Sequence, residues 1–332
     1  MSTPSLLIAA FLAYLREAAC RGWGSELVCG SVAGLTAAQR RMCRTGPDLM
    51  IALGQGVSMA LAECHAQFAK HRWDCTHLGK GHSFGYVLVV GSREAAYTYS
   101  IASAGVVYSI MAACSRGEIT SCGCGTTNRR QPRVQASWKW AGCSVDLALG
   151  LRIARKFLDN REVEGDARAL MNLHNNKAGR NAIKTTLVKD CKCHGVSGSC
   201  TMRSCWMSLP RFKKVGDHLM RKYWRAREVR LGEQGSLVTG KSDRKPRTAD
   251  LVFIEHSPNY CEPDNTIGSP GTKGRNCNRS ATGLGSCDEL CCGRGYNTHQ
   301  QLKSWQCNCK FNWCCQVECQ TCTQNTEVYT CK

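Results

Sequence analysis

Cys191-Lys-Cys-His-Gly-Val-Ser-Gly-Ser-Cys200 packs three cysteines, a histidine and two serines into ten residues, and Cys205 follows shortly after. Two cysteines approach the stretch and two leave it. An antiparallel hairpin joins inner with inner and outer with outer, which predicts Cys193–Cys200 closing residues 194–199 and Cys191–Cys205 bracing the base. Gly195 and Gly198 permit the backbone angles that such a tight loop needs. Two rival chemistries fit less well. Zinc fingers space their ligands C-x2–4-C with a second cluster, whereas here the spacing is C-x-C. A nucleophile elbow reads G-x-S-x-G on a strand-to-helix turn, but Ser199 occupies the second glycine's place. What remains is a rigid loop that holds Ser197 out to solvent.

The rest of the chain supports a stapled, extracellular reading. Twenty-five cysteines in 332 residues imply disulfides made in an oxidising compartment. Residues 6–15, LLIAAFLAYL, form an apolar run of signal-peptide length, too short for the roughly 20 residues of a bilayer span. Removal of residues 1–20 would take Cys20 with it and leave an even 24. No other apolar run reads as long enough to cross a membrane. The formal charge of +19 favours acidic glycans such as heparan sulfate as contacts. Nucleic acid fits the charge but not the compartment.

Cysteine density divides the chain. The last 72 residues, from Cys261, hold twelve cysteines, whereas none lies between Cys143 and Cys191 or between Cys205 and Cys261. The first part reads helical. Tyr97, Ile101, Ala104, Tyr108 and Met111 share one face at i, i+4, i+7 spacing, and Leu147, Leu151, Ala154 and Leu158 repeat the pattern. Residues 48–69 and 166–190 are further helical stretches, with Asp48 and Asp166 as caps. Polar residues 172–176 read as a structural network. From Met202 to Asp250, thirteen Lys or Arg face five Asp or Glu, and residues 232–248 have the composition of a solvated linker. The expected fold is a mostly α N-terminal domain plus a small, disulfide-rich β-hairpin C-terminal domain. The boundaries are a signal peptide 1–20, a helical domain 21–225 carrying the hairpin 191–205, a basic linker 226–250 and a cysteine-rich domain 251–332.

The tail repeats the hairpin logic. In CNCKFNWCCQVECQTC, Cys307 and Cys309 lead in while Cys319 and Cys322 lead out, so nesting predicts Cys309–Cys319 and Cys307–Cys322 within a finger spanning 307–322. Cys314 and Cys315 meet at the tip. Phe311, Trp313 and Val317 then sit on a projection with little core to enter, as interface anchors do.

These motifs resemble the Wnt family. The resemblance rests on CKCHGVSGSC with HRWDC (71–75), WKWAGCS (138–144), LMNLHNNKAGR (170–180), SPNYC (257–261), CCGRGYNTH (291–299) and CKFNWCC (309–315), and covers the chain from about Val28 to Lys332. VGSREAAYTY, WQCNCKF and VYTCK are most similar to subgroup seven. The resemblance implies a secreted morphogen, not an enzyme, with no cofactor and no metal. An O-acyltransferase of the endoplasmic reticulum attaches palmitoleate to the matching serine, Ser197. The lipidated loop enters a groove on the cysteine-rich domain of Frizzled receptors. Lys310, Phe311, Trp313 and Val317 grip the opposite side, LRP-type co-receptors complete the complex, and a membrane carrier escorts the protein out. Heparan sulfate proteoglycans fit the charge, and a heparin-binding matrix protein or a secreted hydrolase is the rival reading.

The resemblance also implies the pairs Cys64–Cys75, Cys114–Cys122, Cys124–Cys143, Cys261–Cys292, Cys277–Cys287, Cys291–Cys331 and Cys314–Cys315 beside those read from nesting, which leaves Cys29 with Cys43. Asn278-Arg-Ser280 is the single glycosylation sequon. Three departures stand out: Ala141 where the family has glycine, Asn312 where histidine is common, and a divergent stretch from about Ala226 to Arg247.

Overall fold

A computed structural model describes Cys29, residues 35–76, 90–119, Cys122, and residues 138–140, 144–162, 166–240, 243–313 and 316–332. Residues 1–20, the expected signal peptide, lie outside these, as do Cys124, Ala141, Cys143, Cys314 and Cys315. The chain forms two compact units. One takes in residues up to Gln67 and Leu78–Ser257, the other Phe68–His77 and Pro258–Lys332.

The first unit is built on helices α1 (Ala37–Thr45), α2 (Pro47–Phe68), α3 (Arg93–Ser115), α4 (Leu147–Leu158), α5 (Ala167–Thr186) and α6 (Phe212–Trp224). Their starts follow local chemistry. Thr36 and Gln39 form a capping box on α1, Ser92 caps α3, and the Asp166 carboxylate accepts from the Arg168 N–H at 3.2 Å on α5. Asp48 is not a cap. α2 begins at Pro47, whose missing N–H costs nothing at the first helical position, and Asp48 sits in the first turn, facing the positive end of the helix dipole.

α3 is the centre of this unit, packed by α4, α5 and α6. Its expected single apolar face is too narrow a description. Residues Ser100, Ser103, Val106, Val107 and Ile110 are buried alongside Tyr97, Ile101, Ala104 and Met111, so the helix is enclosed on nearly all sides. Both α2 and α3 are long and apolar enough to cross a membrane by length and composition, unlike the expectation from the sequence; in α3 that surface is covered by protein. α5 crosses α3 very closely. A Cβ at Gly179 would lie 1.9 Å from the Ser100 carbonyl oxygen, so only glycine fits there. On α4 the buried stripe is Leu149, Gly150, Ala154 and Phe157, rotated from Leu147, Leu151 and Leu158, which are half-buried.

The polar run on α5 is structural. Asn175 both donates to the Val252 carbonyl at 2.9 Å and accepts from the Val252 N–H at 3.0 Å, fixing a strand as a backbone partner would. Arg180 donates two 2.9 Å hydrogen bonds to Asp159, a fork geometry that repays burial of both charges.

The basic stretch 226–250 differs from a solvated linker. It folds into short strands β4 (Arg227–Glu228), β5 (Arg230–Leu231) and β6 (Leu237–Val238), with β7 (Val252–Phe253) beside β4. Val229, Leu237 and Val252 pack with Ala95 and Met171 in one buried cluster. Three aliphatic side chains at the right register outweigh the polar composition around them, each contributing roughly 1.5–3 kcal/mol when buried.

Two further strands of the first unit, β2 (Val188–Cys193) and β3 (Arg203–Ser208), form an antiparallel hairpin, with β1 (Trp138–Trp140) parallel to β3. α5 therefore ends at Thr186, short of the expected residue 190, because Leu187 at φ −49°, ψ 144° has left the helical region.

The second unit has β8 (Pro263–Asp264), β9 (Ser269–Pro270), β10 (Asn276–Cys277), one helical turn α7 (Cys287–Leu290), and two long strands, β11 (Tyr296–Asn312) and β12 (Gln316–Cys331). One core cluster of this unit consists of Cys287, Leu290, Cys291 and Cys331, with Cys277, Tyr296 and Tyr329 against it, and Phe68, Trp73, Tyr260 and Cys261 are buried as well. Disulfides add to this core, each contributing roughly 2–4 kcal/mol by restricting the unfolded chain. The Arg294 guanidinium ties the ends of the unit, donating to the carbonyls of Cys261 and Lys332 at 3.1 Å each.

Candidate functional site

The hairpin of β2 and β3 sets Cys191 directly opposite Cys205, and those two are bridged with a Cα–Cα distance of 4.1 Å. Cys193 and Cys200 form the second bridge, one step nearer the tip. Between them the backbone closes on itself. His194 N–H donates to the Met202 carbonyl at 2.7 Å, and Gly195 N–H to the Ser199 carbonyl at 2.8 Å. A Cβ at Gly195 would lie 2.0 Å from Ser199 Oγ, so this turn requires glycine.

Ser197 occupies the apex at φ 55°, ψ 28°, the left-handed region that costs a non-glycine residue about 1–2 kcal/mol. It is exposed, and its hydroxyl makes no hydrogen bond among the described residues. Ser199 differs. Its Oγ lies 3.2 Å from Thr201 Oγ1 and its carbonyl closes the loop. The free hydroxyl is the one at Ser197. Among the described residues no imidazole hydrogen-bonds to it, as the base of a nucleophilic serine would. What it offers is an accessible primary alcohol on a fixed backbone. Beside it, Val196 is 89% exposed and Met202 is exposed too. The sequence shows these two as a flanking valine and methionine but carries no signal of their exposure.

In the second unit β11 and β12 pair over nearly their whole length, a far longer hairpin than the expected 307–322. Between Cys307 and Lys310 the register slips by one residue: Cys307 faces Gln320, whereas Lys310 faces Glu318. Asn308 takes up the extra residue at φ 48°, and its side-chain amide donates to Gln320 Oε1 at 3.1 Å. This is a β-bulge, and it has a geometric effect. Past it, Phe311 stands opposite Val317 and Lys310 opposite Glu318. Without it, every tip residue of β11 would point to the other face. Phe311 is 70% exposed, Trp313 is 96% exposed, and Lys310 and Val317 are exposed as well. The shaft adds two exposed apolar residues outside the expected finger anchors, Leu302 and Trp305.

The bridges Cys307–Cys322 and Cys309–Cys319 brace this finger. Elsewhere the structure joins Cys29–Cys43, Cys114–Cys122, Cys261–Cys292, Cys277–Cys287 and Cys291–Cys331, while Cys64 and Cys75 are both half-cystines. The sulfurs of Cys277, Cys287 and Cys291 lie within 4.8 Å of one another, yet all three are oxidised, so this cluster presents no thiolate to a metal. Asn278 is exposed in the turn after β10, and its side-chain oxygen accepts from both the N–H and the hydroxyl of Ser280 at 3.0 Å.

The Wnt family model matches residues 31–332. Protein Wnt-2 of Drosophila melanogaster is 47% identical over 327 residues, covering 93% of each chain. A chain from the solved complex of human WLS with WNT8A superposes with a TM-score of 0.63 at 36% identity, covering 85% of this chain and 93% of that one. The N-terminal domain and linker of Drosophila WntD gives 0.47 at 21% identity over 64% of this chain and 98% of that one. The chain belongs to the Wnt family, whose members are secreted signalling ligands and not enzymes.

Proposed function

We propose that this protein signals by binding Frizzled cysteine-rich domains with two hairpins, one of which carries a palmitoleate ester on Ser197. The observation that carries the reading is the unengaged, exposed Ser197 hydroxyl at the apex of a twice-bridged loop. An O-acyltransferase of the endoplasmic reticulum needs a reachable alcohol, and this exposed loop supplies one. A sixteen-carbon chain buried in a receptor groove contributes on the order of 10 kcal/mol at about 0.8 kcal/mol per methylene. A polar loop of this size has no comparable apolar surface of its own. Val196 and Met202 extend the apolar contact around the ester, and Lys310, Phe311, Trp313 and Val317 form a second contact whose effect multiplies the first through linkage.

The same lipid requires shielding in water, which calls for a membrane carrier during secretion; the likeness to the chain in the WLS–WNT8A complex supports WLS in that role. LRP-type co-receptors complete the signalling assembly. Asn278, exposed in its sequon, is the glycosylation site, and heparan sulfate of the extracellular matrix meets the positive charge of the secreted chain.

Metabolic labelling with an alkynyl fatty acid tests the reading. Ser197→Ala removes the label and with it secretion and signalling, whereas Ser199→Ala keeps both largely intact. Equal labelling of the Ser197→Ala protein refutes the assignment.

A further inference from the structure

α6 carries its buried residues Phe212, Val215, Gly216, Leu219 and Tyr223 on one side. At 100° per residue the opposite side holds Lys214, His218 and Arg221, with Arg211 just before the helix and Arg225 just after it. The spacing from Arg211 is i, i+3, i+7, i+10 and i+14, a straight stripe about 21 Å long at 1.5 Å per residue. Arg211, Lys214, Arg221 and Arg225 are all exposed.

Other cations of this region are already engaged. Lys213 pairs with Asp217, Lys222 and Arg227 with Asp250, and Arg230 with Asp243. No carboxylate lies within ion-pairing distance of the four stripe cations among the described residues. Burial, and then the charges of Arg221 and Lys222, hold the His218 imidazole below its usual pKa. The stripe carries no apolar residue, and the apolar side of α6 is committed to the core. A helix that inserts into a lipid surface needs an apolar face to spare, whereas Trp224 is the single large apolar residue that α6 leaves exposed. Unpaired guanidinium groups in a row instead match an extended polymer bearing repeated sulfates, which they meet with two-pronged hydrogen bonds.

We propose that Arg211, Lys214, Arg221 and Arg225 along α6 form a docking strip for a sulfated glycan. This rests on the reading of the protein as an extracellular ligand, and it assigns the glycan contact to one helix instead of to the net charge as a whole.

The test uses the full secreted chain on immobilised heparin. Lys214→Ser/Arg221→Ser/Arg225→Ser is compared with Lys245→Ser/Lys273→Ser/Lys303→Ser, which removes the same charge from exposed positions elsewhere. The stripe variant weakens binding at least tenfold and lowers the salt dependence by roughly one unit of slope for each cation replaced. The control variant stays within about twofold of the parent. Lys214→Arg/Arg221→Lys/Arg225→Lys keeps the charge but exchanges guanidinium for ammonium at two positions, so it binds more weakly than the parent and more tightly than the serine variant; equal melting of all variants separates loss of contact from loss of fold. Equal weakening by the two serine variants overturns the proposal in favour of net charge alone. Loss of binding to phosphatidylcholine vesicles doped with phosphatidylserine, with heparin binding unchanged, overturns it in favour of a membrane. Binding to a Frizzled cysteine-rich domain, measured on the same proteins, is unaffected by the stripe variant. Its loss in the parent chain would count against the ligand reading, not the strip.

Discussion

Replacing Trp313 by alanine separates recognition from folding. The indole is 96% exposed, so it contributes almost nothing to the stability of the free protein, and its removal shifts unfolding by less than about 0.5 kcal/mol. In a complex the balance reverses. A buried tryptophan withdraws roughly 150–250 Å² from water. At about 25 cal/mol per Å² this gives roughly 4–6 kcal/mol, an upper limit for the whole side chain. Alanine retains part of it, and holding the side chain still costs about 0.5–1.5 kcal/mol. A net loss of about 2–4 kcal/mol follows, or roughly 30- to 1000-fold in Kd. The assay is biolayer interferometry of the full secreted chain on a Frizzled cysteine-rich domain, beside a thermal melt. Unchanged affinity with unchanged melting removes the finger tip from the interface, and a large drop in Tm refutes the view that the indole does no structural work.

Three further outcomes are expected. Asn308→Gly preserves the bulge and receptor affinity, whereas Asn308→Val costs about 1–2 kcal/mol in the left-handed region and weakens binding by misaligning Phe311 with Val317; identical melting and binding of the two variants would show that the bulge does not aim the tip. Gly179→Ala forces α5 away from the Ser100 carbonyl and costs about 1–3 kcal/mol, read as a fall in Tm; a parent-like melt would contradict so close a crossing. Burial holds the His174 imidazole below its usual pKa near 6.5, so the folded state resists a proton that the unfolded chain accepts. Stability from this residue is intact above about pH 6.5 and declines as the pH falls toward the lowered folded value. His174→Gln, measured by urea titration across roughly pH 5–8, flattens that decline, and parallel curves for parent and variant would exclude His174 as its source.

The two-part architecture is legible in the sequence because helical periodicity and cysteine density are independent signals, and the dense cysteines begin at Cys261, after the last helical stretch. The nesting of Cys191, Cys193, Cys200 and Cys205 is likewise a geometric statement that a single sequence can make. Three features stay hidden for identifiable reasons. Val229, Leu237 and Val238 are too few and too widely spaced to offset the polar composition around them, so the stretch 226–250 reads as linker although these residues are buried. The long β11–β12 hairpin is rich in Gln, Asn, Thr and Ser on both faces, and without one buried side there is no alternation to detect. The bulge leaves only a faint trace: Cys307 and Cys309 are two residues apart, but Cys319 and Cys322 are three apart, and no regular ladder accommodates both bridges on one face.

A blade that is wet on both sides answers to two masters separately. Backbone hydrogen bonds and sulfur bridges decide whether the β11–β12 ribbon exists, and neither depends on which polar or apolar group stands at Leu302, Lys303, Trp305 or Asn312. Substitution at those places changes the exposed surface of the ribbon while leaving its backbone pairing and bridges in place. On the proposed reading of the finger as a receptor contact, its specificity can change without a loss of stability.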